Sequence, residues 1–390
     1  MLKALRTTAV LLCCSTFLLA QAPPSPKKPA AKSPAGKVRN YFIAADEVEW
    51  DYAPLGMDHM TGKPFDKLAS AFVDKAPNRI GHIYRKAVYR EYTDATFQHL
   101  KPRPEAEQHM GILGPVIRAE VGDTIRITFK NNATQPYSMH PHGVSYKKDS
   151  EGSPYANMSM AATGLVPPGQ THIYTWEVPE RAGPANGDES SALWLYHSHN
   201  YEPKDVNAGL VGPLIITRRG MARPDGSPKD VDREVFAFFM VFDEIRSHYI
   251  DHNINTYAGD PSTIKDRSEF LPFDANGDPN ILLGSGFAAV NHKYAINGFL
   301  YGNNPPIRMK RGQHVRWYLM TMGDAFNFHT PHWHGNVVTV DHHNADIVAL
   351  SPAQFVIADM TPDNPGTWMF HCHISEHMEA GMMTNYEVTE

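Results

Sequence analysis

The sequence predicts an all-β chain of two Greek-key β-sandwich domains, and three observations carry that expectation. Short segments of near-alternating apolar and polar residues recur between Gly/Pro turns. No convincing amphipathic helix interrupts them in the first half. The two halves share a plan, each placing histidine pairs near its middle and its end, which points to an internal duplication. At 390 residues, 42% hydrophobic, with 31 Pro and 28 Gly, the chain can bury substantial cores and make many turns.

In chain order, residues 1–20 carry Lys3 and Arg6, an apolar run from Ala9 to Leu19, and small residues at Ala20 and Ala22. This pattern reads as a secretory signal peptide, so the protein is expected to be exported, periplasmic or secreted. The apolar run is too short for a permanent membrane span. No twin-arginine pair precedes it, which favours export before folding and metal loading. Leu11-Leu12-Cys13 lacks the small residue expected before a lipidated cysteine. Once the signal is removed, Cys372 is the sole cysteine, which excludes an internal disulfide framework and leaves its thiol for a metal. Residues 21–37 are Pro, Ala, Lys and Ser, a tether that cannot bury enough surface to fold. The formal charge is −6, and losing Lys3 and Arg6 makes it −8, so nothing basic invites nucleic acid.

The first domain is expected over 38–222. The segment from Val38 to Trp50 nearly alternates, and Ile112 to Phe129 reads as two strands around a Gly-Asp turn. A loop from Asn131 delivers His140 and His142. Val166 to Gly169 is a turn, and the segment from Thr171 is a half-buried strand. Ala192 to Tyr196 leads into His197 and His199, and Gly209 to Thr217 closes the unit. Arg218 to Asp230 is charged and Gly/Pro-bearing, a linker. The second domain, 223–390, begins in earnest at Arg233. Its polar insertion from Tyr249 to Val290 holds Asp274, Asn276 and Asp278, but Gly277 is misplaced for a helix-loop-helix calcium loop, and a solvated loop is the simpler reading. Strands resume at Lys293 to Gly298 and His314 to Met320.

The chemistry concentrates at Phe370 to Met382, F-H-C-H-I-S-E-H-M-E-A-G-M. A thiolate, imidazoles and a weak axial thioether make a copper site suited to one-electron transfer. Cys372, His377 and Met382 supply three ligands, and a histidine from elsewhere must supply the fourth. His371 and His373 flank Cys372 in extended chain, so their rings face away from its thiol. His140-Pro-His142, His197-Ser-His199 and His329-Thr-Pro-His332-Trp-His334 complete the set. Each His-x-His pair puts two imidazoles on one face of a strand. His329 is the spare that can complete the Cys372 site, which leaves eight histidines for a multi-copper cluster.

This order of motifs resembles the multicopper oxidases. The segment from Gly111 to Tyr146, together with Y-A-I-N-G-F-L-Y-G-N, W-Y-L-M-T-M-G and H-T-P-H-W-H-G-N, is similar to the ceruloplasmin and hephaestin branch, and the resemblance covers nearly all of Val38 to Glu390. It implies cupredoxin-like domains and four coppers per chain. His329, Cys372, His377 and Met382 would hold a type 1 copper. His140 and His332 would hold the type 2 copper, and His142, His197, His199, His334, His371 and His373 the type 3 pair. In the first domain, Ser198 and Leu210 stand where Cys and Met would be, so that domain would lack a type 1 copper. Each domain supplies four cluster ligands, and six-domain relatives form a ring. A two-domain chain would rebuild the ring as a homotrimer, with its trinuclear sites between subunits.

The resemblance implies dioxygen as acceptor and a small-molecule or metal-ion electron donor. Glu376 precedes His377, where a carboxylate would dock iron or manganese, or be a solvated surface acid. Ala289 and Tyr294 stand where iron-binding relatives use Glu and His, which favours laccase-like oxidation of phenols or aromatic amines over ferroxidase activity. Tyr146 matches a tyrosine of small bacterial laccases and would supply an electron during oxygen reduction; a core tyrosine is the alternative. Met57, His59, Met60, Met158 and Met160 offer soft donors or plain packing, and His342 and His343 read as surface. A nitrite reductase would lack the H-C-H motif, a non-catalytic relative would have lost ligands, and a storage or electron-transfer role would not need eight cluster histidines.

Overall fold

The alternating segment after the tether forms the fourteen-residue strand Val38–Asp51. It pairs antiparallel with Ile83–Glu91 and parallel with Thr124–Asn131, placing it inside a five-stranded sheet. In this computed structural model the described residues are 36–269, 286–323 and 327–390. The expected signal peptide, most of the tether, and Asp274, Asn276 and Asp278 therefore lie outside the described residues. Lys37, placed in the tether by sequence, is tied down: its N–H donates to Asp123 Oδ1 at 2.7 Å.

Alternation explains the first sheet. In Thr171–Glu177, Tyr174 and Trp176 are buried while Thr175 and Glu177 are exposed, the period of a strand with one wet face. The second sheet runs Ile117–Glu120, Val211–Thr217, Ser191–His197 and His140–Pro141. The Gly122-Asp123 turn does not fold its two flanking strands onto each other. It sends Ile117–Glu120 to the second sheet and Thr124–Asn131 to the first, as a sandwich corner must.

The second half repeats this plan, with six strands in its larger sheet where the first half has five. Arg233–Asp243 runs parallel to Val315–Met320, Ile307–Lys310 parallel to Met383–Thr389, and Pro331–Trp333 antiparallel to Gly366–Cys372. One register is conserved between the halves: His140 faces His197, and His332 faces His371. The duplication inferred from motif order thus holds at the level of backbone pairing.

Short helices join the strands without changing the all-β class. Glu202–Ala208, Ile250–Tyr257 and Ser375–Glu379 are each about two turns or less, too short to leave a helical periodicity in the sequence. Ile250–Tyr257 lies in the insertion read as loop. An apolar core runs without a break from Tyr84, Leu195 and Ile215 of the first sandwich to Phe236, Trp317 and Phe370 of the second. Polar contacts cross the same boundary: Arg118 pairs with Glu234 at 2.8 Å, and Arg316 donates to Ser190 and Ser191. Among the described residues, no helix is long and apolar enough to cross a membrane.

Candidate metal centre

Pairing of Pro331–Trp333 with Gly366–Cys372 brings His332 opposite His371 and carries Cys372 inward. Cys372 is fully buried, and its N–H donates to Met382 O at 3.0 Å. Met382 N–H in turn donates to His377 O at 2.9 Å, closing the loop so that the buried Met382 returns to the thiol's neighbourhood. Cys372 Sγ lies 3.7 Å from His377 Nδ1 and 4.0 Å from His329 Nδ1, and the two imidazole nitrogens are 3.2 Å apart. Thr330 N–H points at the sulfur from 3.4 Å. Asn327 Oδ1, 3.1 Å from His329 Nε2, accepts that N–H and leaves Nδ1 its lone pair for the centre.

Two further groups form, one in each sandwich. The ligand atoms of His140, His142 and His197 lie within 4.8 Å of one another, and so do those of His332, His334 and His371. His199 adjoins the first, its ring 5.0 Å from that of His140, and His373 adjoins the second, 5.1 Å from the ring of His332. His142 Nε2 faces His197 Nε2 at 3.1 Å, and His334 Nε2 faces His371 Nε2 at the same distance. Backbone carbonyls fix the outward nitrogens: His140 Nδ1–H donates to Glu151 O, His197 Nδ1–H to Ser198 O and His371 Nδ1–H to Cys372 O. Each of these rings thereby keeps Nε2 as acceptor, the state a metal requires. Among the described residues, no such group mixes histidines of the two sandwiches.

Electrostatics supports ligation. Burial lowers His142, His371 and His377 to about 4 and holds His197 and His329 well below the ordinary imidazole range, so all five are neutral near pH 7. Burial also pushes the Cys372 thiol up, and a metal must displace its proton. His332 Nδ1 is buried without a hydrogen-bond partner, a cost that ligation would remove. In the first sandwich, Ser198 Oγ donates to the buried Asp205 at 2.7 Å beside the buried Leu210, so a hydrogen-bonded network occupies the place of a thiolate centre.

Tyr146 is 37% exposed, with its ring 5.8 Å from that of His140, which excludes the core-tyrosine alternative. Glu376 is half-buried in the first turn of Ser375–Glu379. Sequence reasoning placed Tyr294 at this site by resemblance and missed Phe355. The Tyr294 ring packs 5.0 Å from that of His377, and the Phe355 ring stands edge-on to that of His142 at 5.6 Å. Asn327, two residues before His329, was open to detection by its spacing; no local signal marks Phe355.

Two Greek-key sandwiches bearing a buried thiol–imidazole centre, joined through one strand to paired imidazoles, define a redox metalloprotein. Comparison with known proteins makes this specific. Two multicopper oxidase domain descriptions match residues 92–220 and 279–390, together more than half of the chain. Hephaestin of Mus musculus is 39% identical over 360 residues, covering 90% of this chain and 30% of the relative. Ferroxidase HEPHL1 of Mus musculus is 41% identical over 356 residues, covering 90% and 29%. The chain thus spans about a third of the length of the curated relatives it matches. The solved blue copper oxidase of Nitrosomonas europaea shares the fold at TM-score 0.55 and 18% identity, covering 90% of this chain and 86% of that one. The chain belongs to the multicopper oxidase family. Copper is the metal this family implies, and thiolate, thioether and imidazole are the donors that suit it.

Proposed function

We propose that this chain is an exported laccase-like oxidase that takes single electrons from phenolic or aromatic amine donors and reduces dioxygen to water. Four coppers per chain supply the one-electron redox steps, and the overall reduction consumes four electrons and four protons. His329, Cys372, His377 and Met382 hold the type 1 ion. His140 and His332 hold the type 2 ion, and His142, His197, His199, His334, His371 and His373 the type 3 pair. The domains span 38–222 and 223–390, behind a signal peptide and tether.

The observation that carries this reading is the placement of Cys372. Its sulfur belongs to one group of ligands while His371 and His373, one peptide away on either side, belong to another. The backbone of three consecutive residues therefore links the donor side to the oxygen side. Tyr146, at the edge of the His140 group, supplies an electron during oxygen reduction. The separation of the two four-histidine groups within one chain supports a homotrimer, in which the first sandwich of one subunit meets the second of a neighbour.

Tyr294 favours an organic donor. Its buried ring covers His377, and burial together with the nearby Glu376 carboxylate raises its phenol, so a neutral phenol occupies ground where a docked cation would need a second hard ligand. A ferroxidase reading survives through Glu376 beside His377 and through the relative named as a ferroxidase. Oxygen uptake by copper-loaded protein offered a methoxyphenol or ferrous iron, with Glu376→Ala beside the wild type, separates the two. We expect the phenol to turn over well and the variant to leave it unchanged. Iron oxidation that dominates and collapses in the variant would replace the laccase reading.

A further inference from the structure

Val48 and Trp50 alternate onto one face of Val38–Asp51, and Val88, opposite Asp46 in the register, lies on that same face. With Ile112 and Leu113 they line a cavity of about 260 Å³, smaller than the pockets that take drug-sized molecules. Two charged groups also line it, and both are engaged: Glu49 accepts the Tyr257 hydroxyl, and Arg90 pairs with Asp46. The second sandwich fixes the apolar walls. Trp50 Nε1–H donates to Gly298 O at 2.7 Å, and Ile112 N–H donates to Asn297 O at 3.1 Å.

Arg103 stands where this cavity adjoins a larger groove of about 560 Å³, and it lines both. The other cations of the groove have acid partners: Lys101 pairs with Glu91 at 2.9 Å, and Arg118 with Glu107 and Glu234. Arg103 lacks such a partner among the described residues. Its guanidinium donates to Gly111 O at 2.8 Å and to Leu113 O, and its Nε–H has no partner among the described residues. Burial lowers the guanidinium from its ordinary value, so an anion beside it would offset a cost that the fold leaves standing.

We propose that Arg103 anchors a small aromatic carboxylate, whose single ring fills the 260 Å³ cavity against Trp50 and Val88. A guanidinium fork matches a carboxylate in plane and charge, and offset stacking on an indole favours a flat ring over an aliphatic body. No candidate metal ligand lines either cavity, so the site does not depend on the laccase reading. The segment from Arg103 to Leu113 also carries His109, whose Nε2 accepts the Phe236 N–H of the second sandwich at 3.0 Å. A ligand held by this segment therefore braces the junction of the two sandwiches, and it should raise the melting temperature by mass action.

Calorimetric titration of the copper-loaded protein with benzoate tests the site; benzoate has no phenol, so an oxidase of phenols does not consume it. Binding is expected with a Kd of about 1 mM or less. Benzamide, neutral and of the same shape, and inorganic phosphate, charged without a ring, should each bind at least about tenfold more weakly. Arg103→Gln should weaken benzoate by about tenfold or more and leave oxygen uptake with a methoxyphenol unchanged. Arg103 also straps Gly111 and Leu113, so Val48→Trp, which fills the cavity from the opposite wall, provides the same test if that variant misfolds. A crystal soaked in benzoate should show the ring against Trp50 and the carboxylate on Arg103. Benzoate at the copper centres alone, no binding to the wild type, benzamide or phosphate binding as well as benzoate, or unchanged affinity in a folded Arg103→Gln or Val48→Trp protein would overturn the proposal.

Discussion

Cys372 faces two ways through its own backbone: its thiol turns toward His329 and His377 while its neighbours His371 and His373 turn toward His332 and His334. Strand alternation alone produces this, because successive side chains leave opposite faces. Substituting Cys372→Ser keeps the shape and removes the soft ligand. The variant should lose blue absorbance and donor oxidation together, keep its circular dichroism, and retain copper at the histidine groups. Donor oxidation surviving in that variant would overturn the type 1 assignment. The histidines and the cysteine that the fold gathers were legible in the sequence because metal sites demand particular residue types at particular spacings. Phe355 was not, because an aromatic ring beside a ligand carries the same local signal as any core ring.

At the scale of elements, the strand Ile83–Glu91 is joined to the segment after Arg233–Asp243 by a fully buried ion pair, Lys86 with Glu244. Tyr52 donates its hydroxyl to the same Glu244 oxygen at 2.5 Å, and Lys86 also donates to Asn207 O. Burial lowers the Lys86 ammonium against the pull of Glu244. Removing one partner strands the other charge in a low-dielectric site, so Lys86→Met should cost about 3–5 kcal/mol of unfolding free energy. The double variant Lys86→Met with Glu244→Met should recover most of that loss, since apolar replacement of both partners is often neutral. Urea unfolding of the metal-free protein, in which copper linkage is absent, measures both. A double variant no more stable than the single would show that the pair contributes through something other than charge. Of the elements themselves, the strands were readable wherever one face is wet; Glu202–Ala208 and Ile250–Tyr257 were not, since seven or eight residues are too few for a helical period to emerge.

At the scale of the whole molecule, the cluster histidines fall in two groups, one in each sandwich, and among the described residues no group of three or more ligands mixes them. Copper-loaded protein should scatter light as a trimer, with three times the mass of the chain. Because copper would bind ligands from both sides of each interface, its removal by a chelator should raise the concentration at which the trimer dissociates, the expected mass-action linkage. A copper-loaded monomer that still reduces dioxygen would sink the intersubunit cluster.

The sequence by itself determined the fold class, the duplication and which histidines and cysteine are candidates for metal, because alternation, turn residues and His-Cys spacing are local properties that folding must respect. Tertiary structure decided what those properties leave open. It matched His140 with His197 and His332 with His371, turned Ser198 and Asp205 into a metal-free network, and kept the two histidine groups apart. It also set the Phe355 ring against that of His142, from a distant part of the chain. Packing between distant segments is set by the sum of many small contacts, and no short stretch of sequence encodes it.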